Sequence, residues 1–476
     1  MREKNKLLLM SLILILSLTT AIQLNRNIQT LVWIMPQSTV VAELNSKGLE
    51  ISLGPETQIN TYTDYFQGYV KVCCRPDGSF VAVWQSNHQT AEKYNIYAKI
   101  FNSTGHNITD EILVNTNTTE DQEYPSVGCF SNNSFVVTWD HYGVDGTDVY
   151  AKIFDETGVN LTGDILINSY QAGGQNFSNV CCINDTNFIV TWCGEGPGEP
   201  SGIYACVFNM TGGNVTTHFQ VNQYLASNTI VPSISCFSNG SFVITWLDGS
   251  QDGSGSGIYA QIFDLNGNNR TSSDIKVNTI TSGSQNTPNL CCLSDGSFII
   301  TWFGNGTGDP DGIFAKIFNS SAVNITDEIL INSNTAGIQF FPDICCYNDN
   351  SFLITWYHQR GLYTDVYVSY FDSNGNKRTA DTRVNSNTST TNSRPKICCS
   401  NGSFVIVYNY VPISSMEVAF RIGSFIEISE EINIMPILIL LMGPETETNM
   451  ILIVILIIVA AVVVILVIIY FKIKKK

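Results

Sequence analysis

The segment Ser79-Phe80-Val81-Ala82-Val83-Trp84 comes back six times, as Ser134 to Trp139, Asn187 to Trp192, Ser241 to Trp246, Ser297 to Trp302, Ser351 to Trp356 and Ser403 to Tyr408, so that its aromatic recurs every 52 to 56 residues. A chain built on one such period folds as a solenoid, a propeller or an array, because each unit buries its apolar face against the next copy of itself.

Each period reads as four β segments. A short strand of the form Pro-x-Val/Ile-Cys-Cys comes first (Pro125 to Cys129, Pro232 to Cys236, Pro288 to Cys292, Pro342 to Cys346, Pro395 to Cys399). An Asp-Gly or Asn-Gly turn then leads into Ser-Phe-Val-Val-Thr-Trp, the dipeptide signalling a hairpin between β-branched runs. The third strand is Ile96 to Phe101 and its equivalents, and the fourth is Glu111 to Asn115, echoed by Asp164 to Asn168, Asp274 to Asn278 and Glu328 to Asn332. Four antiparallel strands in about 53 residues make a propeller blade, whereas an immunoglobulin-like unit needs roughly twice that length. The expected fold is all-β, a β-propeller of four-stranded blades.

A partial copy precedes the first full one. Thr30 to Trp33, Val40 to Leu44 and Glu56 to Asn60 match the second, third and fourth strands, and Pro436 to Leu441 has the pattern of the missing first strand. Closing the ring from both chain ends would give eight blades; seven blades is the alternative. The run Asp-Gly-Ser-Phe-Val-Val-Thr-Trp, Gly-Ile-Tyr-Ala-Lys-Ile-Phe and Ile-x-Val-Asn-Thr resembles tandem repeats of large bacterial secreted and surface proteins and of membrane proteins of ciliated protists, over about residues 28 to 434. The resemblance implies an extracellular repeat domain without an established catalytic activity. In the bacterial repeats the first strand usually carries Ala where this chain has Cys.

The two ends read as targeting segments. Arg2, Lys4 and Lys6 ahead of the apolar run Leu7 to Leu18 form a signal peptide over residues 1–21. Ile451 to Phe471 is long and apolar enough for one transmembrane helix, and Lys472, Lys474, Lys475 and Lys476 behind it place the tail in the cytosol. The expected order is signal peptide 1–21, propeller ectodomain 22–442, linker 443–450, transmembrane helix 451–471 and basic tail 472–476, in type I orientation. A cell-surface or late secretory location is expected; Lys472 and Lys474 also match a Lys-x-Lys-x-x retrieval tag, which makes the endoplasmic reticulum the alternative. Without the two terminal segments the chain holds 17 basic against 40 acidic residues, which repels nucleic acid. Among its Asn-x-Ser/Thr sequons, Asn102, Asn107, Asn160, Asn209, Asn239, Asn305, Asn324 and Asn401 are the glycosylation candidates.

Twelve of the 14 cysteines follow the period: Cys74, Cys129, Cys182, Cys236, Cys292, Cys346 and Cys399, with Cys73, Cys181, Cys291, Cys345 and Cys398 each one residue earlier. Small buried residues packing the inner strands is the first reading; bridges between neighbouring blades and a metal-binding ring are the others. Cys193 and Cys206 fall outside the period, together in one hairpin, and are the disulfide candidate. Asp145, Asp148, Asp252, Asp309 and Asp311 alternate with glycine in loops and are weak Ca²⁺ candidates, with ordinary turn chemistry the rival reading. No cofactor is expected. No catalytic motif stands out, and inspection of the first strands finds no acid or arginine where other copies are apolar. The expectation is therefore a non-enzymatic, membrane-held glycoprotein that binds or adheres to a protein or glycan; the alternative is a propeller-type glycan hydrolase, which needs convergent acid groups at the central channel.

Overall fold

A computed structural model of the chain describes residues 48–196, 199–225, 228–400, 402–412 and 415–428. It is a β-propeller of seven blades. The first blade consists of Gln67–Cys74, Phe80–Asn87, Tyr94–Phe101 and Ile112–Leu113, paired antiparallel in that order. Five more follow the same plan, with first strands Asp121–Cys129, Gln175–Asn184, Thr229–Cys236, Gln285–Cys292 and Ile338–Cys346. Each first strand packs against the first strands of the blades before and after it, so these strands line the axis.

The seventh blade is composite. Asn392–Ser400, Ser403–Tyr410 and Glu417–Ile428 come from the C-terminal side, and Gly48–Leu53 and Thr57–Gln58 from the N-terminal side both pair with Glu417–Ile428. The expectation of eight blades is thus corrected to seven. Glu56 to Asn60 is a fourth strand, as its sequence indicates, but it completes the last blade, pairing along the edge of that blade's third strand, Glu417–Ile428. Pairing there removes an exposed edge and closes the ring. Thr30 to Trp33, Val40 to Leu44, Pro436 to Leu441, the signal segment and Ile451 to Phe471 lie outside the described residues. Among the described residues no helix is long and apolar enough to cross a membrane.

Repetition in sequence becomes repetition in contacts. Trp84, Trp139, Trp192, Trp246, Trp302, Trp356 and Tyr408 are all buried, between 0 and 3% exposed. Trp84, Trp139, Trp192 and Trp356 stack on the tyrosine directly across the hairpin, Trp302 on Phe314, with ring centres 6.1 to 6.3 Å apart. The asparagine of Val-Asn-Thr is buried in every blade. The Oδ1 atoms of Asn115, Asn168, Asn222, Asn278, Asn332, Asn385 and Asn60 accept the first free N–H of the third strand, from Ile96, Val149, Ile203, Ile258, Ile313, Val366 and Val418, at 2.7 to 3.1 Å. That N–H has no ladder partner, and a buried orphan donor costs about 1–3 kcal/mol.

Blades are also clamped to one another. Lys99 donates to the Ile59 carbonyl of the preceding blade, Lys152 to Val114, Lys316 to Val277, Lys377 to Ile331 and Arg421 to Val384. In the third blade Cys206 stands where the lysine would be, and His218 Nε2 donates to the Ile167 carbonyl instead, at 2.7 Å.

Candidate active site at the channel mouth

The first strands are longer than the Pro-x-Val/Ile-Cys-Cys pattern suggests, and all seven break register at the same place, between Gly68/Lys71, Glu123/Ser126, Asn176/Asn179, Ile230/Ser233, Asn286/Asn289, Phe340/Asp343 and Ser393/Lys396. The leading residue of each bulge has a positive φ: Tyr69, Tyr124, Phe177, Val231, Thr287, Phe341 and Arg394, at 42 to 55°. None is glycine. Left-handed backbone at a bulky residue costs on the order of 1–3 kcal/mol and collects at functional sites. Proline follows in five blades, where its missing ladder donor suits a bulge, and the first and third blades make the same bulge with Val70 and Ser178.

These seven side chains crown one mouth of the central channel, around a cavity of about 170 Å³. They differ from blade to blade. Tyr69 and Tyr124 meet edge to face at 4.7 Å, and Tyr124 and Phe177 lie 5.0 Å apart. The Arg394 guanidinium sits 4.4 Å from the centre of Tyr69 and 4.8 Å from that of Phe341. An aromatic arc with a cation inserted in it therefore runs from the sixth blade to the third, and Val231 and Thr287 leave the remaining side open.

Two residues further along each strand a polar layer lines the same cavity, made of Lys71, Asn179, Ser233, Asn289 and Lys396, with Asp343 and Ser126 at the equivalent positions. Lys396 donates to Asp343 at 3.0 Å, and the Ile397 N–H donates to the other oxygen of that carboxylate at 2.8 Å. Lys71 has no such neutralising contact. Burial, with Lys396 and Arg394 nearby, lowers its ammonium pKa to about 7, against the pull of Asp343. Burial holds the Tyr124 hydroxyl well above its usual value, with Tyr69 adding to the effect.

Behind the crown, the residue after the tryptophan supports the next blade's bulge in the first two blades. Gln85 Oε1 accepts the Tyr124 N–H at 2.9 Å, and Asp140 accepts the Phe177 N–H at 2.7 Å. Burial raises the Asp140 pKa to about 8 although these N–H donors act in the opposite direction. The opposite mouth is wider, about 950 Å³, and is lined largely by the turns between first and second strands. There the polar groups serve the turns, as where Asp77 Oδ1 accepts the N–H and hydroxyl of Ser79 across Gly78, whose φ is +86°.

The sequence reading missed this site. Lys71, Asp343, Arg394 and Lys396 are charges on first strands, at positions where other copies carry Ser, Asn, Val, Thr or an aromatic, so the expectation that no first strand carries an acid or arginine where other copies are apolar is corrected by Arg394. The residues it did select are dispersed. Cys193 pairs with Ile203 and Cys206 with Val190, an odd offset that puts the two thiols on opposite faces of the blade; they are not brought together and both are free. The aspartates hold local structure: Asp148 and Asp309 accept from the side-chain amides of Asn168 and Asn332, and Asp252 and Asp309 from the Ser254 and Asp311 N–H groups. Among the described residues no group of three His, Cys, Asp or Glu could hold a metal ion. Asn107, Asn160 and Asn324 are exposed and bridge back to Phe101, Phe154 and Phe318 at one equivalent position. Asn102 and Asn209 open hairpin turns, Asn239 is exposed in one, Asn305 donates to Ser282, and Asn401 lies outside the described residues.

No family model matches the chain, and no curated protein matches it. What stands of the resemblance is the propeller architecture, and the particular repeat family is not shown. Among solved structures the chain is similar to a polysaccharide lyase described as an ulvan lyase (TM-score 0.51, 7% identity, 76% of this chain and 97% of that one). It is also similar to an α-L-arabinanase of Penicillium chrysogenum (0.45, 10%, 78% and 98%) and to a Dyadobacter fermentans protein of unknown function (0.49, 10%, 79% and 99%). At such identities the likeness shows the fold alone. Two expectations are corrected against this fold, that of a non-catalytic binding or adhesion ectodomain and that of a chain that is not an enzyme: a polysaccharide lyase shares the architecture, and the catalytic alternative is taken up as a proposal below.

Proposed function

We propose that the chain is a glycan-acting enzyme whose active site is the crowned mouth of the channel, and that its substrate is an acidic polysaccharide bearing uronate groups. The observation that supports this most is Arg394, held between Tyr69 and Phe341 above Lys71. Aromatic faces stack on the apolar faces of sugar rings, and a guanidinium fixed by two rings keeps its donor fork free for a carboxylate. A pair of carboxylates, which glycoside hydrolysis by the usual route requires, is not found among the described lining residues, where Asp343 is already tied to Lys396 and Ile397.

The groups present suit β-elimination. Arg394 neutralises the uronate carboxylate and so acidifies the neighbouring C–H. Lys71, a free amine above about pH 7, takes that proton. The bond to the leaving glycosidic oxygen breaks, a carbon–carbon double bond forms, and the protonated hydroxyl of Tyr124 supplies the proton to the leaving oxygen.

The secretory placement belongs to the same proposal. The hydrophobic ends and the exposed sequons support a type I membrane protein with this domain on the exoplasmic side. The test is to incubate the full chain in detergent with uronate-bearing, sulfated, sialylated and neutral polysaccharides, following both new reducing ends and the ultraviolet absorbance of an unsaturated uronate. Both signals on the uronate polymer are expected. Reducing ends without the absorbance would convert the reading to hydrolysis, and no cleavage of any polymer would end it.

A further inference from the structure

Two disulfides join neighbouring blades, Cys74–Cys398 between the first and seventh and Cys345–Cys399 between the sixth and seventh. Both obey one rule. The second cysteine of a first strand bonds to the residue at the first cysteine position in the preceding blade, because alternate residues of an axial strand face its two neighbours. Walking the rule around the ring gives Cys346 with Cys291, Cys236 with Cys181 and Cys129 with Cys73. It also gives two mismatches, Cys292 with Ser235 and Cys182 with Gly128.

The geometry follows the rule at every step. The Cys129 thiol lies 3.6 Å from the Cys73 carbonyl and within hydrogen-bonding reach of the Cys73 side chain. The Cys236 and Cys346 thiols are likewise within hydrogen-bonding reach of Cys181 and Cys291. At the mismatches, Cys292 Sγ lies 3.4 Å from the Ser235 carbonyl, and a Cβ placed on Gly128 would stand 3.1 Å from Cys182 Sγ. The two blades that lack a first-position cysteine thus face the two second-position cysteines left over.

We propose that the mature protein carries a girdle of five inter-blade disulfides, with Cys73–Cys129, Cys181–Cys236 and Cys291–Cys346 closing beside the two already formed, and with Cys182 and Cys292 remaining thiols. Each closure removes two protons and two electrons from a thiol pair and passes them to a disulfide oxidant, which leaves as two thiols. The girdle links the fifth, sixth, seventh, first and second blades into one covalent arc and the third and fourth into a pair. All four charges of the mouth, Lys71, Asp343, Arg394 and Lys396, ride on the arc. The inference is independent of the catalytic reading.

To test it, the purified full chain is equilibrated with a mixture of oxidised and reduced glutathione, denatured, alkylated without reduction and mapped by mass spectrometry. Five cystine peptides are expected, with alkyl groups on Cys182, Cys292, Cys193 and Cys206 alone. Alkylation of Cys73, Cys129, Cys181, Cys236, Cys291 or Cys346, or a bridge containing Cys182 or Cys292, overturns the proposal. Gly128→Cys and Ser235→Cys provide a gain-of-bond test: each should add a sixth bridge and protect Cys182 or Cys292 respectively, and a folded variant whose cysteine stays alkylatable overturns the rule.

Discussion

The outer frame of the propeller and the crown at its mouth are made by the same repeat, yet they have opposite histories in the sequence. In the frame, the buried aromatic and the asparagine recur in every blade, and a cation reaching the preceding blade's carbonyl in five of the seven. In the crown, seven equivalent bulges hold Tyr, Tyr, Phe, Val, Thr, Phe and Arg. Uniform residues at equivalent positions serve packing that every blade needs. Different residues on a backbone strained alike in all seven blades answer to something asymmetric, and a ligand at the axis is asymmetric with respect to the ring.

The sharpest way to break this contrast is to exchange the effects. Trp139→Ala, in the frame, should lower stability by about 3–5 kcal/mol through the cavity it leaves, seen as a large fall in the urea midpoint. Phe177→Ala, on the crown and 36% exposed, should cost less than about 1 kcal/mol. If the crown variant proves as destabilising as the frame variant, the crown is structural and the site argument fails. Next comes Lys71→Met, expected to slow turnover of a uronate polymer about 10²–10³-fold, roughly 3–4 kcal/mol in the barrier, while binding of the polymer persists. The wild-type rate should climb with pH through about 7 as the Lys71 amine is freed; a rate that falls across that range would remove Lys71 as the base. Smaller still, Asn115→Ala strands the Ile96 N–H and should cost about 1–3 kcal/mol in stability, leaving turnover by surviving enzyme unchanged.

The frame was readable because hairpin turns, periodic aromatics and the Val-Asn-Thr signature all act within one period, where local chemistry decides. Ring closure was harder. Glu56 to Asn60 was recognisable as a fourth strand, but its partner, Glu417–Ile428, lies more than 350 residues away, and no local pattern states which open edge a stray strand will fill. The cysteines show the same limit from the other side. Their period was visible, and bridges between neighbouring blades stood among the open readings; what one period does not state is that the two faces of an axial strand meet different blades, so that adjacent cysteines bridge in opposite directions. The crown was missed for a different reason. Comparing the copies position by position would have exposed Lys71, Asp343, Arg394 and Lys396, but the comparison favoured what recurs, and a site made from one residue per blade has no recurrence to find.

The finest test separates crown from frame by pH alone. Lys71, half-buried, and Asp140, fully buried, both lie near the mouth, and their shifts have opposite consequences. In the unfolded chain Lys71 keeps its proton up to its ordinary value of 10.5, whereas in the fold it releases it near 7. Between those values the unfolded state binds more protons, so this residue makes stability rise with pH from about 7 toward 10.5 and depresses it most below 7. Asp140 loses its proton at an ordinary 3.8 when unfolded and near 8 in the fold. Over that window the folded state binds more protons, so Asp140 makes stability fall as pH rises from about 4 to 8. Urea midpoints measured at pH 5, 7.5 and 9.5 for the wild type, Lys71→Met and Asp140→Asn should therefore diverge in different places, with Lys71→Met flattening the upper window and Asp140→Asn the lower one. Asp140→Asn keeps an oxygen to accept the Phe177 N–H, so its crown should stay in place and its turnover should retain the acid limb near 7 that Lys71 sets. If that limb moves with Asp140→Asn and stays with Lys71→Met, the titrating group at the mouth is the aspartate, and the roles assigned to the two residues are reversed.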